Sequence, residues 1–305
     1  MGRREIIQTQ YDAPLDQTIT ICLGFFDSLH VGHIQLIHKA QLLAHKYDCK
    51  CGVFTFVNNP FEILGNDNKQ VLSFEERVFR LRQLDVDYVV SATFDKQFAS
   101  IEPLEFLEKL TKNKSIKAIV VGSDYTYGKM ASGNIVSLRE FCDQNDIELV
   151  VEKMKLLADG SKISSSYLRK LVQTGNLSQI ASQLSTPYFV MGKVKPGRRD
   201  GSKMGRATAN IEYDEKKEKL PSGVYNTNVI IDGVRLKAVT NVGAHPTFDD
   251  HNYNIEAHII GLNQELYGKT IVIEFLEKIR DIKKFGTVKE LSQQIAKDVE
   301  YALSK

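Results

Sequence analysis

The spacing of apolar positions changes once along the chain. In the first half, alternation at Ile19, Ile21, Leu23 and Phe25 within "TITICLGFF" predicts a strand, and the segment after His33 predicts a helix. "CGVFTFV" reads as a strand and "SFEERVFRLRQL" as a helix, with Ser73 and Glu76 placed for a capping box. "DYVVSATF", "PLEFLEKL", "IKAIVVG", "IVSLREFCDQ" and "IELVVEKM" then alternate strand and helix. Near-continuous Val and Ile runs separated by helices predict a doubly wound α/β domain, a parallel sheet covered on both faces. Ligands of such sheets sit beyond the carboxyl ends of the strands, where His30 and His33 fall.

After about residue 186 the helices drop out. "PYFVMGKV", "GVYNTNVIIDGVRLKAVTNVG", "NIEAHIIG" and "TIVIEFLEKI" follow one another as strands, with Asp232-Gly233 as a hairpin signal. "TVKELSQQIAKDVEYAL" closes the chain as a helix, with Thr287 and Glu290 as a capping box and Val288, Leu291, Ile295 and Val299 as its apolar stripe. An antiparallel β-barrel with one C-terminal helix is expected. The domains expected are 1–186 and 187–305, joined through "TGNLSQIASQLSTP" (174–187).

Length and charge narrow the function. The chain has 305 residues, enough for two cores, and a formal net charge of +2, which gives no general reason to bind nucleic acid or an anionic membrane. No apolar run reaches bilayer length and "MGRREIIQTQYD" lacks a signal-peptide core, so a cytoplasmic protein is expected; a weak homo-oligomer is left open. The four cysteines, Cys22, Cys49, Cys51 and Cys142, read as small thiols in a reducing compartment.

Within "LGFFDSLHVGHIQLIHKAQLL" (23–43), His30 and His33 lie three apart with Gly32 between them. Gly32 lets the backbone approach a ligand, and the helix beginning near His33 presents free N–H groups and a positive dipole end. Two imidazoles there suit a nucleotide polyphosphate. Zinc would also want close histidines, but no third ligand of the right type lies nearby, and the spacing falls across a turn. Ordinary surface histidines are the remaining reading.

"GFFDSLHVGH" resembles the G-x-F-D-x-x-H-x-G-H signature of the HxGH nucleotidyltransferases, and "ISSSYLRK" (163–170) resembles their I-S-S-T/S-x-x-R motif. "TFVNNP", "VVGSDYTYGKMASGN", "ATAN", "NVGAHPTF" and "KKFGT" extend the likeness over essentially the whole chain, to the prokaryotic bifunctional riboflavin kinase/FMN adenylyltransferases. That resemblance implies FMN + ATP → FAD + pyrophosphate in the first half, with Mg²⁺ as helper, and small-molecule flavin and ATP as the partners. It implies that His30 and His33 donate to ATP phosphates, that Gly24, Phe25, Asp27 and Gly32 shape the pocket, and that Ser164, Ser165, Ser166 and Arg169 hold the leaving pyrophosphate. Asn58, Asn59, Asp124 and Tyr127 would face the flavin, although the family commonly has His where Asn59 stands and Phe where Tyr127 stands.

In the second half the resemblance implies riboflavin + ATP → FMN + ADP, with Thr208 and Asn210 holding Mg²⁺ and ATP phosphates and Glu256 as general base. The family's G-R-x-L-G-F-P-T-A-N reads "GSKMGRATAN" here, so Ser202, Arg206 and Ala207 replace Arg, Phe and Pro. "RDIKKF" carries Ile282 where Glu is usual. Losing a proline and an aromatic loosens such a flap, so weak or absent kinase activity is expected beside intact adenylyl transfer. An adenylyl- or cytidylyltransferase for another phosphate acceptor and a non-catalytic flavin-binding regulator are the alternatives.

Overall fold

The protein is described by a computed structural model that covers residues 5–153, 163–196, 208–245 and 250–305. The chain forms two compact units, Met1–Ser165 and Ser166–Lys305.

The first unit runs β1(Ile7–Gln10), β2(Leu15–Leu23), α1(Val31–Lys46), β3(Lys50–Phe56), α2(Pro60–Ile63), α3(Phe74–Gln83), β4(Tyr88–Ala92), α4(Lys96–Ala99), α5(Pro103–Thr111), β5(Lys114–Gly122), α6(Ile135–Gln144) and β6(Glu148–Glu152). Its six strands lie in the order β1-β4-β3-β2-β5-β6, all parallel. From β2 the chain winds first to β3 and later to β5 on the opposite side, so the sheet's switch point lies at the carboxyl end of β2. Burial on both faces explains the Ile and Val runs: Ile19, Ile21, Val53, Val89, Val90, Ile119 and Val120 are all fully buried. The Ser73–Glu76 capping box forms as expected. Strand β1 is a feature the pattern did not signal, because "IQTQ" is a mostly exposed edge strand with a single apolar residue.

The second unit opens with α7(Ser165–Thr174), whose first residue is the last of the first unit. It contains α8(Leu177–Leu184), β7(Tyr188–Lys195), β8(Thr208–Ile211), β9(Gly223–Ile231), β10(Val234–His245), β11(Asp250–Ile259), β12(Thr270–Arg280) and α9(Val288–Ser304). The strands close an antiparallel barrel in the order β10-β11-β8-β7-β12-β9. Asp232 (φ 50°) and Gly233 (φ 84°) make the left-handed pair that a tight β9–β10 turn needs. Inside the segment read as the junction, "LSQIASQL" is the helix α8, packed on β7 and β12.

Helix α9 departs from its expected pattern in two ways. Thr287 caps it by accepting from the Glu290 N–H, but the Glu290 carboxylate accepts from Gly286 N–H, so the capping box is not reciprocal. Val288 is 63% exposed at the first turn, whereas Val299 and Ala302 meet Val224 and Val239 on the barrel wall. Asp298, almost fully buried on α9, receives Arg280 Nε and Nη2 from the end of β12, at 2.7 Å in the shortest contact.

All four cysteines are free thiols, with Cys22, Cys51 and Cys142 buried. Burial pushes the Cys51 thiol up to about 12, so it stays protonated and inert. Among the described residues no helix is long and apolar enough to cross a membrane.

Candidate active site

The first unit's cleft opens where β2 stops. After Leu23 the backbone turns through two non-glycine residues in the left-handed region, Phe26 (φ 53°) and Leu29 (φ 48°). Such positions carry strain, here held by packing, since both side chains are 1% exposed. The turn delivers His30 to the N-cap of α1, where its Nδ1 accepts from the His33 N–H at 3.3 Å. That bond assigns the imidazole proton to Nε2. Gly32 leaves room for the His30 ring: a Cβ there would lie 3.0 Å from His30 Cε1 and press on it.

The two imidazoles stack at 3.8 Å with 9° between their planes, and Phe26 lies against the His33 ring at 5.0 Å. Burial lowers His30 to about 4. Burial also pushes His33 well below its ordinary value, helped by the neighbouring His30 and Arg77. Both rings are therefore neutral at pH 7, each with one N–H to give. His33 Nδ1 is buried with no partner.

A second segment closes the cleft. Ile163, Ser164 and Ser165 line it together with Gly24, His30, Gly32 and His33, and Ser165 Oγ lies 3.3 Å from Ser28 Oγ in the histidine turn. Asp124 and Tyr125, just past β5, form another wall. Gln35 on α1 donates to Glu152 at the end of β6 at 3.1 Å, and both also line the cleft. Hydroxyls, neutral imidazoles and the start of α1 make a donor-rich surface suited to phosphate oxygens. Ser166 and Arg169 lie further along α7, in the second unit, where Arg169 Nη1 donates to Ser166 Oγ at 3.2 Å and the arginine is 5% exposed.

Other residues read from the sequence serve the loops rather than line the cleft. Asp27 is buried and its carboxylate accepts from Val71 N–H, while its carbonyl accepts from Leu72 N–H. Phe25 packs edge-on to Phe61 and against the Arg77 guanidinium. Asn58 exchanges two hydrogen bonds with the Phe94 backbone, and Asn59 caps α2 and donates to the Asn68 carbonyl. Tyr127 is a core residue whose hydroxyl contacts Ser137; Tyr125, stacked on it at 5.7 Å, is the aromatic that reaches the cleft. The packing of strand ends decides this, and a motif does not carry that information.

In the second unit, barrel register puts Asn210 opposite Glu256 and Thr208 opposite His258. Ala209, Ile211, Ile255 and Ala257 alternate with them and are buried, so Thr208, Asn210 and Glu256 share one face. The oxygens of Thr208 and Asn210 are hard donors that fit Mg²⁺ alongside phosphates and waters, and the Glu256 carboxylate stands beside them. Among the described residues no group of three or more His, Cys, Asp or Glu side chains could hold a metal by itself. Ser202, Arg206 and Ala207 of the flap lie outside the described residues. Asn241, opposite Glu256 on β10, was missed by motif reading; its buried Nδ2 has no partner, and only the strand register shows where it falls.

Comparison with known proteins agrees with both halves. The FAD synthetase family matches residues 12–167, and the riboflavin kinase family matches residues 184–305. The bifunctional riboflavin kinase/FMN adenylyltransferase of Bacillus subtilis is 32% identical over 93% of this chain and 91% of its own. The Listeria monocytogenes protein of the same name is 30% identical over 91% and 89%. Among solved structures, a macrolide-efflux protein from Streptococcus pneumoniae superposes with a TM-score of 0.82 at 29% identity, covering 98% of this chain and 100% of that one.

Proposed function

The chain belongs to the bifunctional riboflavin kinase/FMN adenylyltransferase family, and from that premise we propose that the cleft around His30 and His33 transfers AMP from ATP to FMN, giving FAD and pyrophosphate. An FMN phosphate oxygen forms the new bond to the α-phosphorus of ATP. The bond from that phosphorus to the α,β-bridging oxygen breaks, and its electron pair leaves with pyrophosphate. The nucleophile is already an anion, so the chain's residues align charge and stabilise it. Neutral His30, through Nε2–H, and neutral His33 donate to the phosphate oxygens as charge moves toward the leaving group. Ser164 and Ser165 hold the pyrophosphate end. Bound Mg²⁺ supplies further neutralisation of the triphosphate.

The observation that carries this reading is the 3.3 Å approach of Ser28 and Ser165, which brings the histidine turn and the serine motif to one cleft. The test is product chromatography after incubation with FMN, ATP and Mg²⁺. FAD and pyrophosphate are expected in equal amounts, and their absence overturns the reading.

In the second unit, Thr208 and Asn210 are the residues for Mg²⁺ and ATP phosphates, and Glu256 is the base that takes the proton of the riboflavin hydroxyl. The changes at Ser202, Arg206, Ala207 and Ile282 support slow turnover there. The protein acts on small molecules in the cytoplasm, without a nucleic-acid or membrane partner; net charge near zero and free buried thiols support this.

A further inference from the structure

Arg77, on α3, is fully buried, yet it belongs to neither the histidine nor the serine motif. Its Nη1 donates to the Phe25 carbonyl at 3.0 Å and also to Thr55 Oγ1; its Nη2 donates to the Phe56 carbonyl at 2.8 Å. Thr55 Oγ1 in turn donates to the same Phe25 carbonyl at 2.6 Å. The guanidinium carbon sits 4.9 Å from the Phe25 ring centroid and 5.6 Å from that of Phe74, and Nε has no partner.

Burying a guanidinium costs several kcal/mol before its contacts are counted. Filling space does not explain it, because an apolar side chain would do that without the cost. What the fork alone provides is a bridge between two strand ends. Phe25 lies just past β2 and precedes the turn to His30 and Gly32, and Phe56 ends β3 and precedes Asn58 and Asn59. One planar cation therefore fixes the starts of both loops, a task for which a lysine's single ammonium lacks the geometry.

We infer that Arg77 is a positioning residue for adenylyl transfer, its fork setting the turn that carries His30 and His33 against the loop that follows β3. The inference rests on the adenylyl-transfer reading, in which the phosphate-binding turn and the flavin side must align for in-line attack. A misplacement of about 1 Å in such an arrangement costs on the order of 100-fold in rate. Arg77 touches no reacting atom. It works through the Phe25 and Phe56 carbonyls and through Thr55.

The test compares full-length wild type with Arg77→Lys and Thr55→Val, measuring kcat and KM for ATP and FMN, FMN affinity without ATP, and the thermal midpoint. For a folded Arg77→Lys, kcat falls about 30-fold or more, while both KM values and FMN affinity stay within about threefold. Thr55→Val, a near-isosteric change that removes one partner of the fork, lowers kcat by roughly 3- to 10-fold in the same pattern. Should Arg77→Lys fail to fold, Thr55→Val decides. Folded variants with wild-type kcat, or a loss confined to one substrate's KM, overturn the inference and leave the adenylyl-transfer reading standing. A wild-type protein that makes no FAD overturns both.

Discussion

The hydroxyls of Ser28 and Ser165 lie 3.3 Å apart although 137 residues separate them in sequence. Ser28 is fully buried within the histidine turn, and Ser165 opens α7. This contact brings the histidine turn and the serine segment to one cleft. Replacing Ser165 by Ala removes a hydroxyl from the cleft and a partner from Ser28. KM for ATP should rise about tenfold, as expected for roughly 1–1.5 kcal/mol of hydrogen bonding, with FMN affinity little changed. Steady-state FAD formation at varied ATP measures it.

His33→Ala should lower FAD formation by about 100-fold or more, the scale seen when one preorganised donor to a developing anion is lost. FMN binding, followed by flavin fluorescence, should stay within about twofold.

His30 carries two duties that substitution can separate. Its Nδ1 caps α1, so His30→Ala should lose about 1 kcal/mol of stability together with activity. His30→Asn restores a good N-cap and should recover the stability while FAD formation stays low. Thermal melts beside turnover assays distinguish the two effects.

Stability should fall as the solution is made acidic. His30 titrates near 4 in the folded protein and near 6.5 when unfolded, and His33 is lowered too. Between pH 6.5 and 4 the unfolded chain binds protons that the folded one refuses, so the unfolding free energy declines with falling pH across that window, and the His30 contribution levels off below it. His30 alone accounts for on the order of 3 kcal/mol. Denaturant midpoints from pH 7.5 to 4 should show the decline, and His30→Asn should make it shallower, leaving the part due to His33.

Riboflavin phosphorylation should be slow relative to FAD formation from FMN. The double change Arg206→Phe with Ala207→Pro restores the family's flap residues and should raise FMN formation by about tenfold, in keeping with a stiffer loop. Chromatography of products from riboflavin and from FMN, run separately, reports both activities.

The sequence by itself determined the two architectures and the positions of the histidine and serine motifs. The change from interleaved helices to successive strands marked a parallel sheet followed by a barrel, because burial on two faces or one dictates continuous or alternating apolar positions. Turn chemistry was local enough to read, as at Ser73–Glu76 and Asp232-Gly233. His30, Gly32 and His33 were legible because a helix start, a missing Cβ and two donors are all encoded within four residues. Tertiary structure decided which neighbours of those motifs reach the cleft. Asp27, Asn58 and Asn59 satisfy loop backbone; Tyr125 reaches the cleft where Tyr127 was expected; Gln35 and Glu152 meet across 117 residues. The neutrality of the two histidines and the role inferred for Arg77 likewise depend on burial and on where separate strand ends stop. These properties arise from contacts distant along the chain, and residue spacing carries no record of them.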